Sequence, residues 1–206
     1  MTREKQIILT ARIMSMIFTP FYLPIVGLIA LFFLSYLRFY PPSYKLQVLA
    51  VVYFFTILLP TVLIHLYRRY QGWSLIDLGI KERRMVPYII SILCYFTCVY
   101  IMELMHIPHF MASIVIVALL VQIVCAIINV WWKISTHSAA IGGVAGALIV
   151  FSAIFMFNPV WWFCLVLIVA GVLGSSRMIL RQHTLPQVTV GFFVGVICAF
   201  LGILYL

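Results

Sequence analysis

Apolar runs of about twenty residues recur along the whole chain, and each is long enough to cross about 30 Å of hydrocarbon. Water is absent there, so backbone N–H and C=O groups must pair within the segment, which makes each run a helix. The short alternating strands of a β-barrel are not seen. With 66% of residues apolar and 8% charged, a water-facing exterior is excluded. The expected fold class is therefore all-α: a polytopic membrane helix bundle of six to seven transmembrane helices, forming a single membrane domain over residues 1–206.

The runs fall near 14–37, 46–66, 86–105, 110–132, 138–157, 160–175 and 185–205. Pro20, Pro24 and Pro60 lie inside runs and predict kinks, whereas Pro87, Pro108, Pro159 and Pro186 stand at run edges, where proline suits a helix start. Arg3, Lys5 and Arg12 precede a long apolar run with no small-residue cleavage site, the pattern of a retained span rather than a cleaved signal. The longest polar connection, 67–85, holds Trp73 as an interface anchor. Seven spans put the N-terminus and the loops near 67–85, 133–137 and 176–184 on one face, and the short loops near 38–45, 106–109 and 158–159 on the other. Of the 13 Lys and Arg residues, only Arg38 and Lys45 belong to the second face. The positive-inside rule then predicts a cell (inner) membrane protein with its basic face in the cytoplasm. The net charge of +9 reads as anchors and binders of anionic lipid, not as a nucleic-acid surface.

Cys94, Cys98, Cys125, Cys164 and Cys198 all sit in apolar runs and read as small buried hydrophobes, with no disulfide framework and no zinc motif. Gly142 with Gly146, and Gly191 with Gly195, are small-xxx-small pairs that predict close packing of the fifth and seventh helices. Glu103, His106 and His109 form a polar cluster at the edge of the third span, read as interfacial rather than metal-binding, and His65 beside Arg68 and Arg69 is read the same way. No cofactor and no metal is expected.

Three polar stretches on the basic face stand out: Lys81-Glu82-Arg83-Arg84, Trp132 to His137, and Ser176 to His183. Each precedes a span and is expected at a helix N-terminus, where free N–H groups and a partial positive charge favour an anion. Arginine adds the fork that phosphate oxygens accept. Two histidines among such cations suggest phosphoryl transfer, one imidazole attacking phosphorus and the other protonating the departing oxygen. The plain alternative for any one of these side chains is an interfacial anchor.

Ser176-Arg177-x5-His183 resembles the third signature of the type-2 phosphatidic acid phosphatase and vanadium haloperoxidase superfamily, and Ser135-Thr136-His137 resembles its second, usually Ser-Gly-His. Lys81 to Pro87 loosely resembles the first. The text is most similar to a bacterial membrane branch with Lys-x-Ser-x-His, here Lys133 to His137, and His-Thr-x-x-Gln-Val-x-x-Gly, here His183 to Gly191. The resemblance covers about residues 77–195. It implies a nucleophilic role for His183, an acid and then base role for His137, and phosphate contacts from Lys81, Arg84, Lys133, Ser135, Thr136 and Arg177. Three departures stand beside it. Thr136 replaces glycine, Val86 replaces the arginine before Pro87, and Gln187 replaces the aspartate expected four residues after the nucleophile. Gln187 can still fix the His183 tautomer through a hydrogen bond, though it brings no negative charge; Asp77 and Glu103 are the candidates to supply one, Asp77 reading otherwise as a surface partner of Arg83 or Arg84.

The function expected from this pattern is a membrane phosphatase acting on a lipid phosphomonoester or diphosphate, of polyprenyl or phospholipid type, through a phosphohistidine. The second reading is a scaffold that binds or moves phospholipid or phosphate without turnover. A membrane lipid is the expected partner in both; the oligomeric state stays open.

Overall fold

The computed structural model describes residues 3–34, 36–72, 83 and 85–204; Trp73, Asp77, Lys81 and Arg84 lie outside the described residues. Nine α-helices appear among them: α1 (Arg3–Ile17), α2 (Leu23–Leu34), α3 (Pro42–Tyr53), α4 (Leu59–Tyr70), α5 (Met85–Leu104), α6 (His109–Trp131), α7 (Thr136–Phe155), α8 (Val160–Ile179) and α9 (Leu185–Leu204). They make seven stretches long and apolar enough to cross a membrane, because α1 with α2, and α3 with α4, are each one broken stretch. The outward faces are apolar, with Phe33, Phe96, Trp161, Ile168 and Phe193 exposed. The protein is thus an all-α polytopic membrane bundle.

Prolines set the breaks and starts as expected. Pro20 opens a 3-10 turn, Pro20–Tyr22, that separates α1 from α2. Pro60 has no N–H for the helical ladder, and a π-turn, Phe54–Leu58, absorbs the mismatch just before it. Pro108 and Pro159 occupy the N-cap positions of α6 and α8. Three spans differ from the sequence reading, and the second, read as 46–66, runs from Pro42 to Tyr70. The first helix begins at Arg3 rather than near 14, and α8 runs on to Ile179 rather than ending near 175. Ser176 and Arg177 therefore lie in the last turn of α8, at a helix C-terminus and not an N-terminus. A cation there complements the negative end of the helix dipole.

Two clusters fill the interior. Leu28, Leu37, Val48, Val52, Met102 and Met111 pack together between α2, α3, α5 and α6. Tyr88, Val121, Cys125, Ile134, Cys198 and Ala199 pack between α5, α6, α7 and α9. The tightest contact joins α7 and α9 backbone to backbone. A Cβ on Gly142 would overlap the Phe192 carbonyl oxygen, and one on Gly195 would overlap the Ala139 carbonyl oxygen. A Cβ on Gly146 would stand 2.8 Å from that of Ala199, and one on Gly191 2.7 Å from the Ser135 carbonyl oxygen. Both predicted glycine pairs thus lie in one interface.

Candidate functional site

The α7–α9 contact brings two loop ends together. The Ser135 N–H donates to the Gln187 carbonyl at 3.4 Å, tying the residue before α7 to the first turn of α9. Ser135 caps α7 with its own side chain: Oγ accepts from the Ser138 N–H at 3.4 Å and lies 3.0 Å from the Ser138 hydroxyl. Ser135 is fully buried, Thr136 and His137 are half-buried in the opening turn of α7, and Lys133 is half-buried in the loop before it.

At the other helix start, Gln187 joins two groups. Its Oε1 accepts from the Thr184 backbone N–H at 3.2 Å, and it lies 3.1 Å from Nδ1 of the buried His183. Thr184 precedes the first residue of α9 and Gln187 is its third, so this is the glutamine half of a capping box. The backbone N–H fixes which amide atom is oxygen, since an N–H donor needs an acceptor. An oxygen facing Nδ1 in turn requires the proton on Nδ1. The lone pair of the neutral ring is then on Nε2. The side chain that stands one helical turn from His183 and contacts its ring is thus a neutral one.

Arg177 is held differently from a loose phosphate clamp. Its Nη1 donates to Ser15 Oγ at 2.5 Å, and its Nη2 donates to the Gln182 side-chain oxygen. The turn beyond it is locked as well. Arg181 has a left-handed backbone, φ 52°, the Gln182 N–H bonds the Arg177 carbonyl at 3.1 Å, and the Arg181 N–H bonds that of Met178 at 2.9 Å. That is a Schellman closure, with arginine where glycine is usual. The 176–183 segment is therefore braced at Ser15, Gln182 and Gln187 before any ligand arrives.

A cavity of about 210 Å³ opens at the same end, lined by Thr19, Pro87, Tyr88, Ser91, Gln122, Thr136 and His137 among others. His137 reaches this wall, whereas His183, Arg177 and Ser135 are packed behind the α7 start and do not line it. Residues 19–21, 64, 87 and 136–137 share the cavity, so the α1–α2 break, the middle of α4 and the first turns of α5 and α7 meet around it. Arg68, beside His65 at 3.3 Å, stands in the last turn of α4. Among the described residues, no group of three or more His, Cys, Asp and Glu stands together to hold a metal ion. Glu103 and His106 instead close the end of α5, where His106 takes a left-handed conformation.

Sequence reasoning missed Ser15, Thr19, Tyr88, Ser91 and Gln122. Polar residues inside apolar helices are the available signal for all five. The Thr184-x-x-Gln187 spacing also carries the signature of a capping box at the start of α9. Compared with protein-family models, with curated proteins and with solved structures, the chain matches none.

Proposed function

We propose that the protein is a lipid phosphate phosphatase of the membrane that works through a phosphohistidine at His183. The observation that carries this reading is the Gln187 bridge, whose Oε1, accepting from the Thr184 N–H, can hold a proton on Nδ1 of His183 so that the neutral ring presents its lone pair on Nε2. A nucleophilic imidazole needs that tautomer. The Nε2–P bond forms as the bond from phosphorus to the lipid oxygen breaks, and His137 gives its proton to that oxygen. Water, deprotonated by His137, then attacks phosphorus, the P–N bond breaks, and inorganic phosphate leaves. Ser135, Thr136 and Lys133 around the start of α7, with Arg177 in the last turn of α8, are the described groups that would steady the equatorial oxygens; Lys81 and Arg84 are further candidates. A head group at the bilayer rim suits a substrate whose tail stays in hydrocarbon. The charge bias supports a cytoplasmic rim, and labelling of a cysteine placed in the 67–85 loop by an impermeant reagent in intact cells would contradict it.

The test is phosphate release from a panel of prenyl phosphates, phosphatidic acid and phosphatidylglycerol phosphate in detergent. The wild type should hydrolyse at least one, His183→Ala none; unchanged turnover in that variant removes the mechanism. One observation favours a second reading, a binder without turnover. The neutral Gln187 cannot balance the charge of a doubly substituted imidazolium. Gln187→Asp separates the two, since a rise in turnover marks the native site as degenerate, and a fall marks glutamine as the working residue.

A further inference from the structure

A second cavity, of about 120 Å³, adjoins the first. The two share Pro20, Gln122 and Thr136 on their walls. The second is almost wholly apolar and runs between α2, α6 and α7. Along α7 it is lined at Thr136, Ala140, Gly143, Ala147 and Phe151, one face of the helix, so it extends about 22 Å at 1.5 Å per residue. A chamber walled by Thr19, Ser91, Gln122, Thr136 and His137 among apolar neighbours, opening into a long apolar slot, has the shape of an amphiphile with one chain inside the protein.

Two polar side chains interrupt that slot. Gln122, 7% exposed, stands where the chambers meet. Tyr95 is 1% exposed, lines the slot, and its hydroxyl forms no hydrogen bond among the described residues. Tyr88, Ser91 and Tyr95 recur at helical spacing on α5. Tyr95 is therefore about 6 Å further along α5 than Ser91, which lines the chamber at His137. A buried hydroxyl in an apolar slot is costly unless a ligand pairs it. An acylated phosphate lipid has an ester carbonyl a few bonds beyond its phosphate, whereas a prenyl phosphate is hydrocarbon from its first carbon.

We infer that the slot between α2, α6 and α7 receives one ester-linked acyl chain of the lipid phosphate, with the Tyr95 hydroxyl donating to the ester carbonyl and the Gln122 amide at the neck. This rests on the site at His137 taking a lipid phosphate. Tyr95 and Gln122 become specificity-determining residues, and α2, which precedes the part of the chain that resembles the phosphatases, becomes a wall of the substrate site. Gly27 of α2 lines the slot opposite Ile114, where an added Cβ would stand 3.3 Å from the Ile114 side chain.

Binding of phosphonate analogues, which cannot be hydrolysed, tests this separately from turnover. A 1-acylglycerol phosphonate and a prenyl phosphonate of equal chain length are compared on the full protein in detergent. Tyr95→Phe should weaken the acyl ligand roughly 3- to 10-fold and leave the prenyl ligand unchanged. Equal effects on both, or none on either, overturn the inference. A diazirine near the acyl chain end should label residues 27–31 and 147–151 in the unsubstituted chain, and Gly27→Leu should abolish that labelling. Labelling confined to outward faces of α8 and α9, or no labelling, overturns it even if Gly27→Leu misfolds. Phosphate release from the matching phosphate lipids reports on the phosphatase reading alone.

Discussion

The two halves of the bundle are built by opposite means. The pair α7–α9 meets through bare backbone, with glycines where any side chain would collide with a carbonyl. The α1–α4 half packs through large side chains, such as Leu28, Leu37, Val48 and Val52, and is interrupted by a 3-10 turn and a π-turn. The first region fixes the starts of α7 and α9 to one another, with His137 in the opening turn of α7 and His183 two residues before α9. The second half shapes what stands around them: Ser15 braces Arg177, and Thr19 and Pro20 wall the cavity. Helices that touch at the backbone have one register, whereas side-chain packing tolerates repacking. On the proposed reading, the backbone contact of α7 with α9 positions the two histidines, and α1 and α2 complete the walls around them.

That division can be broken most sharply at the chemistry. His183→Ala should lower lipid phosphate hydrolysis by about ten-thousand-fold or more, while thermal stability in detergent stays close to wild type. The packing contrast comes next. Gly195→Ala drives a methyl into the Ala139 carbonyl and should cost at least about 1–3 kcal/mol, read as a lower Tm. Gly171→Ala on α8 meets nothing within 4 Å and should be neutral or stabilising by up to about 1 kcal/mol. Equal losses at the two glycines would dissolve the account of α7 and α9 as a backbone-to-backbone contact. Ser15→Ala removes a hydrogen bond to a buried guanidinium, and a cost of about 1.5–3 kcal/mol is expected. Faster proteolysis within α1 would show that the brace holds the N-terminal helix, and an unchanged cleavage rate would show that it does not.

Much of the fold was legible because a membrane imposes length and apolarity on every crossing. The seven spans, the prolines at their edges and the two glycine pairs all follow from that solvent. What escaped was local. Arg177 lowers hydropathy near the end of α8, so the span was closed early, yet the helix continues and the arginine serves its C-terminus. Its stop is made by Arg181 in a left-handed conformation, which carries none of the signal a glycine would. Ser15 finds Arg177 across 162 residues of sequence, and no local pattern encodes such a contact. At the site, the His183–Gln187 pairing was legible because four residues make one helical turn. The joining of Ser135 to Gln187 depends on how two distant helices pack, and was reached only through their glycines.

The most direct measurement is to incubate the protein with a lipid carrying a radiolabelled terminal phosphate, quench in alkali, and map the label. An acid-labile, alkali-stable phosphate on the peptide containing His183 is predicted. It should accumulate when His137→Ala slows its hydrolysis and vanish in His183→Ala. Lipid hydrolysis proceeding with no such adduct, or with the label on another residue, would contradict the account.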